Sequence, residues 1–249
     1  MNAWDRQPEV TGLSQTASTV DQGLRSYMLK VYNYMASGLL LTAVIAYFAG
    51  TSDAFLATVL TQGADGAMGI APIGYVIMFA PLAMVFFMMF KLNSMSTQTL
   101  QITFWTYAVL MGLSLFSIFL IYTQTSILRV LFVTAGTFGL LSMYGYATKR
   151  DLTSWGTFLM VGMWAMLIVS LVNMFLLKSS GLQLAMSYIG VLLALGLTAY
   201  DTQKVKEVYY TTGGSPDAVK RASILGALSL YFDFIYLFIN LLRIMGERR

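Results

Sequence analysis

Ser223-Ile-Leu-Gly-Ala-Leu-Ser229-Leu-Tyr-Phe-Asp233-Phe-Ile-Tyr236-Leu-Phe-Ile-Asn240-Leu-Leu242 is an apolar block with a single charge, Asp233, near its midpoint. As a helix of about 20 residues it covers about 30 Å, the thickness of a bilayer's hydrocarbon core. A carboxylate at that depth costs about 2.5–3.5 kcal/mol on insertion scales, so an intramembrane Asp marks a functional position. Six further apolar blocks precede this one: Val31–Gly50, Ile70–Phe90, Leu100–Tyr122, Ile127–Ala147, Trp155–Leu177 and Leu182–Tyr200. The whole chain of 249 residues is 57% hydrophobic and 10% charged, with a mean hydropathy of +0.70. An ordinary soluble domain is about a quarter charged, so this chain lacks the polar surface to cover a globule in water. The alternating ten-residue segments of a membrane β-barrel are absent from the sequence. The sequence predicts an all-α polytopic membrane protein with seven transmembrane helices. Six helices and a re-entrant seventh segment stand as the alternative.

Residues 1–30 form a polar cytoplasmic tail that ends in an amphipathic lead-in, Leu24–Lys30, and residues 31–249 form the transmembrane domain. Placing the N-terminus inside puts ten of the fifteen Lys and Arg on the cytoplasmic side, as the positive-inside rule requires. The three arginines Arg243, Arg248 and Arg249 pull the other way. Asp201–Ala222 is the longest non-apolar stretch of the body, and Thr211-Thr-Gly-Gly-Ser-Pro216 within it is a turn signal. The sixth helix is expected to continue to about Tyr209, and the seventh to begin near Ala222.

Cysteine and histidine are both absent. That removes thiol nucleophiles, zinc and haem ligation, His-based catalytic triads and a histidine pH switch. The net charge of +4 is in no cluster, which argues against nucleic acid as a partner. No cofactor is expected, the chain is read as no enzyme, and a monomer in the lipid bilayer is the default. A two-aspartate intramembrane protease would want a Gly-x-Gly-Asp context, whereas the residues here read Thr198-Ala-Tyr-Asp201. A retinal protein would want a Lys in the last helix, which Ser223–Leu242 lacks.

Nine of the eleven acidic residues fall in tails, loops or helix extensions: Asp5, Glu9, Asp21, Asp53, Asp65, Asp151, Glu207, Asp217 and Glu247. Asp201 and Asp233 are left. Ser229, Asp233, Tyr236, Asn240 and Arg243 are spaced by 4, 3, 4 and 3, which draws one polar stripe along the seventh helix. Ser187, Gly190, Ala194 and Asp201 share a face of the sixth, where small residues let another backbone come close. With the boundaries above, the two aspartates fall at similar depth, about 12 and 16 Å from the cytoplasmic helix ends, and their carboxyls are expected to meet. Two such carboxyls in a low-dielectric site cannot both ionise cheaply, so the pair shares a proton and senses pH. Once ionised, they offer hard oxygens suited to transient Ca²⁺ binding. Lys91, directly after the second block, is the candidate cation that competes for them. Plainer readings stand beside these: Asp233 as a buried structural group, Asp201 as a helix end paired with Lys204, Lys91 as a snorkelling anchor, and Arg129 as an interfacial anchor or a buried partner.

The segments Tyr200-Asp-Thr-Gln203, Ala227-Leu-Ser-Leu-Tyr-Phe-Asp-Phe234 and Leu237-Phe-Ile-Asn-Leu-Leu-Arg243 together resemble the Bax inhibitor-1, or transmembrane Bax inhibitor motif, family. Gly145-Tyr-Ala-Thr-Lys-Arg-Asp-Leu152 looks like its bacterial branch. The resemblance runs from about Arg25 to the C-terminus. It implies a seven-helix fold with the last helix central, and a pH-sensitive calcium leak of the bacterial inner membrane gated by Asp201 and Asp233. In the family's calcium-leak members an Arg at the end of the second helix latches one aspartate. This chain has Lys91 there, which makes a point-charge contact rather than a bidentate one. Other bacterial members are linked to modulating a membrane-bound quality-control protease, and this implies the alternative function.

Overall fold

Among the described residues, seven helices are long and apolar enough to cross a membrane: 22–51, 72–91, 97–121, 124–147, 153–177, 180–211 and 216–245. The computed structural model describes the backbone of residues 10–62 and 68–249, and side chains from residue 22 onward except 63–67 and 93. The expected loop or tail positions of Asp5, Glu9 and Asp65 and the side chain of Asp21 lie outside the described residues, as does the start of the polar tail.

Helix α1 (Val10–Thr51) runs without a break through the lead-in and the first apolar block. Leu24, Tyr27, Met28 and Val31, spaced by three, one and three residues, are buried on one face, so the lead-in is part of the bundle wall. After it come a short helix, α2 (Asp53–Val59), capped by the Ser52 side chain, and an antiparallel hairpin of β1 (Leu60–Gln62) and β2 (Met68–Ile70). Helix α3 (Pro72–Lys91) opens on a proline, whose missing N–H costs nothing at a helix start. The third span is made of α4 (Thr97–Ser114) and α5 (Phe116–Ile121), which meet at Leu115. Helix α6 (Gln124–Ala147) is capped by Thr123. Helix α7 (Thr153–Val172) continues into a single π-turn, Asn173–Leu177, which closes on Lys178 in the left-handed conformation.

Helices α8 (Ser180–Thr211) and α9 (Pro216–Met245) form a long antiparallel pair. The turn between them is four residues, with Gly213 and Gly214 at φ of 62° and 75° and Pro216 in the first turn of α9. Positive φ is open to glycine without the Cβ clash, and that permits a reversal this tight. Helix α9 therefore starts six residues before the expected Ala222. It is one unbroken helix of 30 residues, about 45 Å long, and this excludes the re-entrant alternative. It is also the centre of the fold: α8, α1, α6 and α4 all pack against it.

Polar contacts sort the connections into two ends. Arg221, in the second turn of α9, donates to the carbonyls of Leu92 and Met95 between α3 and α4. Gln203 of α8 reaches the α6–α7 connection. These connections and the α8–α9 turn share one end, the basic end, which carries Lys149, Arg150, Lys204, Lys206, Lys220 and Arg221. At the opposite end the C-terminal residues lie against the α5–α6 connection. Thr123 N donates to Glu247 O at 3.0 Å, Arg249 N to Ile121 O at 2.9 Å, and Glu247 N to Ser126 Oγ at 2.8 Å. The last helix thus joins the two ends of the bundle, as a seventh crossing must.

Candidate functional site

Small side chains set the site by letting α8 and α9 approach. A methyl group on Gly190 would lie 2.6 Å from Asn240 Oδ1, and one on Gly226 would lie 2.9 Å from Val205 Cγ1. Ser187, Gly190, Ala194 and Asp201 are all buried on the α8 face that meets α9. On the other flank, the backbone of Gly145 in α6 sits against the Ala199 carbonyl of α8. In a lipid environment such close packing, rather than hydrophobicity, holds helices together.

Each residue of Tyr200-Asp-Thr-Gln203 faces a different partner. The Tyr200 ring covers Gly156 of α7, and Lys204 Nζ stands 5.7 Å from the centre of that ring. The Asp201 carboxylate accepts a hydrogen bond from the Ser229 hydroxyl of α9. Thr202 Oγ1 donates to Ser142 Oγ of α6 at 3.4 Å. Gln203 accepts from Leu152 N and donates to Arg150 O, both at 2.8 Å, which pins the α6–α7 connection to α8. In that connection, outside the spans, the Thr153 hydroxyl and N–H hold the Asp151 carboxyl below the usual carboxylate range.

Asp201 is level with Ser229, and Asp233 lies one helical turn deeper, about 6 Å along α9. Both helices outrun their expected boundaries, α8 by two residues and α9 by six, and the Asp201–Ser229 contact rather than either helix end fixes their register. The two carboxyls are electrostatic neighbours without a hydrogen bond between them. Asp233 is buried, and its Oδ2 has no partner among the described residues. Tyr236, next on the stripe, carries a buried hydroxyl that likewise has no partner among the described residues. Asn240 donates to the Tyr236 carbonyl at 2.8 Å. Arg243 ends the stripe, half-buried, with Tyr122 and Tyr236 as neighbours. The five stripe residues thus follow α9 from the level of Asp201 to its C-terminal end, with Asp233 and Asn240 the most buried.

Lys91 is not brought to the aspartates. It ends α3 with an exposed side chain and makes no ion pair among the described residues. The lysine beside Asp201 is Lys204, one turn farther along the same helix. Arg129 is a surface residue, paired with Glu247 at 3.1 Å with both side chains more than half exposed.

Sequence reasoning missed several residues that hold the site in place. Tyr231 shares a 2.7 Å hydrogen bond with Thr42 of α1, and Thr42 donates in turn to the Ala108 carbonyl of α4. This ties α9 to two helices about half a turn from both Ser229 and Asp233. Arg221 ties α9 to the α3–α4 connection, and Gln203 ties α8 to the α6–α7 connection, both at the basic end. A polar side chain within an apolar run was the available signal for Tyr231 and Thr42. Nothing in the sequence signalled the carbonyl partners of Arg221.

The family profile described as inhibitor of apoptosis-promoting Bax1 matches residues 24–249, the same stretch that builds the bundle. The inner membrane protein YbhL of Escherichia coli strain K12 is 42% identical over 246 residues, covering 98% of this chain and 100% of YbhL. The uncharacterized protein RP147 of Rickettsia prowazekii is 47% identical over 231 residues, 93% of each chain. A protein of Deinococcus radiodurans is 37% identical over 92% of this chain and 94% of its own. With that coverage, and with a seven-helix bundle whose last helix is central, the chain belongs to the Bax inhibitor-1 family of membrane proteins.

Proposed function

We propose that this protein is a pH-sensitive cation leak of a bacterial inner membrane, passing Ca²⁺, with Asp201 and Asp233 as its gate. The observation that carries the reading is the partnerless Oδ2 of Asp233, buried mid-span on the central helix within electrostatic reach of a second carboxyl. Leaving a buried polar oxygen unpaired is costly, and such groups persist where function needs them. The proposed localisation follows the name of the YbhL relative.

At lower pH the pair keeps a proton, the carboxyls do not repel each other, and α8 and α9 stay closed. At higher pH both ionise, the like charges repel, and their oxygens become ligands for a passing cation. Ca²⁺ takes six to eight oxygens, so two carboxylates supply a weak, transient station completed by water and backbone carbonyls. Lys204 is the cation placed to compete for Asp201, while Lys91 would have to swing inward from the end of α3 to act as a latch. The protein holds no resident cofactor and catalyses no reaction in this reading, and one chain suffices.

Ca²⁺ flux into liposomes holding the purified protein, from acid to mildly alkaline pH, tests it beside Asp233→Asn. The wild type is expected to leak more as pH rises, by up to about ten-fold per pH unit around the titration. Asp233→Asn keeps the side chain's shape, loses its proton, and should flatten that profile. A variant with wild-type flux and an unchanged profile would sink the gate. No flux from folded wild-type protein would favour the modulator of a membrane protease, with sensitivity shifted to residues 1–30 and Thr211–Arg221.

A further inference from the structure

Helices α1 and α6 both pack on α9 but scarcely touch each other. A cleft therefore runs between them along the bundle, in two halves that join at Met35 and Phe138, the residues that line both. The half toward the basic end is about 730 Å³, walled by Met28, Leu29 and Tyr32 on α1 and by Gly139 and Met143 on α6. Arg25 and Tyr146 stand at its mouth. The other half is about 590 Å³ and apolar, with Phe234, Ile235 and Phe238 of α9 on its floor and no charged residue in its lining.

We propose that the half at the basic end seats one anionic glycerophospholipid, its phosphate at Arg25 and one acyl chain running inward to Met35 and Phe138. Three observations carry this. The first is length: Arg25 to Met35 is about 15 Å of helix, half of the ~30 Å hydrocarbon core and so the depth of a single leaflet. The second is charge. Arg25 is exposed and in no ion pair among the described residues. Lys206 stands behind the mouth, donating to Tyr146 O at 2.8 Å with its Nζ 5.1 Å from the centre of the Tyr146 ring. Two cations at the headgroup level beside an apolar slot match a phosphate joined to a hydrocarbon chain. The third is room at the wall: a Cβ built on Gly139 meets nothing within 4 Å, so a chain can lie against bare backbone there. The cation-free half offers no such headgroup contact, so headgroup selectivity is confined to the basic end.

The test reads lipid binding and not flux, so it stands or falls apart from the leak. The full-length protein in detergent is titrated with phosphatidylglycerol and phosphatidylcholine of identical chains, and bound lipid is counted by native mass spectrometry. The wild type should hold one phosphatidylglycerol at least about five-fold more tightly than phosphatidylcholine. Arg25→Gln should cut that preference about five-fold. Gly139→Trp fills the cleft and should weaken the tight binding of both lipids. Lys220→Gln removes an exposed charge that lines neither half of the cleft, and should keep the preference. A wild type that binds both lipids equally overturns the proposal. So does an Arg25→Gln protein with its preference intact, or a Lys220→Gln protein that loses as much as Arg25→Gln.

Discussion

The fifth and seventh spans are both apolar enough to cross a membrane, yet 72% of the seventh's apolar window is buried in the bundle against 11% of the fifth's. Helix α7 turns Trp155, Phe158, Val161, Trp164 and Ile168 outward and meets α8 through Gly156 and Gly162. Helix α9 carries Gly226, Ala227, Ser229, Asp233 and Asn240, and its large residues interlock with rings on α4 and α6, as in Tyr107–Phe232 and Phe138–Phe234. Lipid tails solvate a leucine as well as another helix does, so apolarity selects the membrane but not the middle of the bundle. Small and polar residues choose the middle, because they pack closely or need a partner.

The sharpest way to break that comparison is to enlarge small residues. Gly190→Leu pushes a side chain into the Asn240 amide and should cost about 3 kcal/mol, read as earlier unfolding in detergent. Gly136→Leu, on α6 where a Cβ meets nothing, should be neutral or raise stability by up to about 1 kcal/mol through helix propensity. Equal losses at both sites would mean that close approach at α8–α9 is not what holds the centre.

Next in size is Arg221→Met, which leaves the carbonyls of Leu92 and Met95 without their charged donor and should cost about 2 kcal/mol in the same unfolding measurement. No loss would show that α9 is held by its mid-span packing alone. Ser229→Ala removes the hydroxyl that Asp201 accepts from and should cost about 1 kcal/mol, and Ser229→Thr should restore most of it. Smallest is Arg129→Gln at the opposite end. That pair is more than half exposed, so the loss should be under about 0.5 kcal/mol and disappear in high salt. A larger, salt-resistant effect would make the C-terminal clasp as much a part of the core as α9 itself.

Much of this was legible in the sequence. The seven spans could be read because each needs about 20 apolar residues, a signal carried by local composition. Asp233 stood out for the same reason, as a charge where its block allows none, and Asp201 as the acidic residue that directly follows the sixth block on its small-residue face. The small-residue face of α8 was visible from its spacing and is the face that meets α9. The start of α9 was not visible, because Asp217, Lys220 and Arg221 look like loop residues by composition. A helix that projects beyond the hydrocarbon carries charges freely, and the two glycines and Pro216 tighten the turn before it. The packing of α8 on α9 sets Asp201 beside Ser229, one turn from the level of Asp233.

The chain's composition and block lengths dictate a helical membrane protein, because in lipid every backbone N–H and C=O must be satisfied within its own segment. The spacing of its small and polar residues marks which helix faces meet. Depth and pairing across helices lie beyond that reach. Whether Asp201 faces Ser229, whether Lys91 or Lys204 stands beside it, and whether α1 closes on α6 or leaves a cleft all depend on turn geometry and crossing partners. Those are set by contacts between residues far apart in the chain, as between Thr42 and Tyr231, 189 positions apart, and no local pattern encodes them.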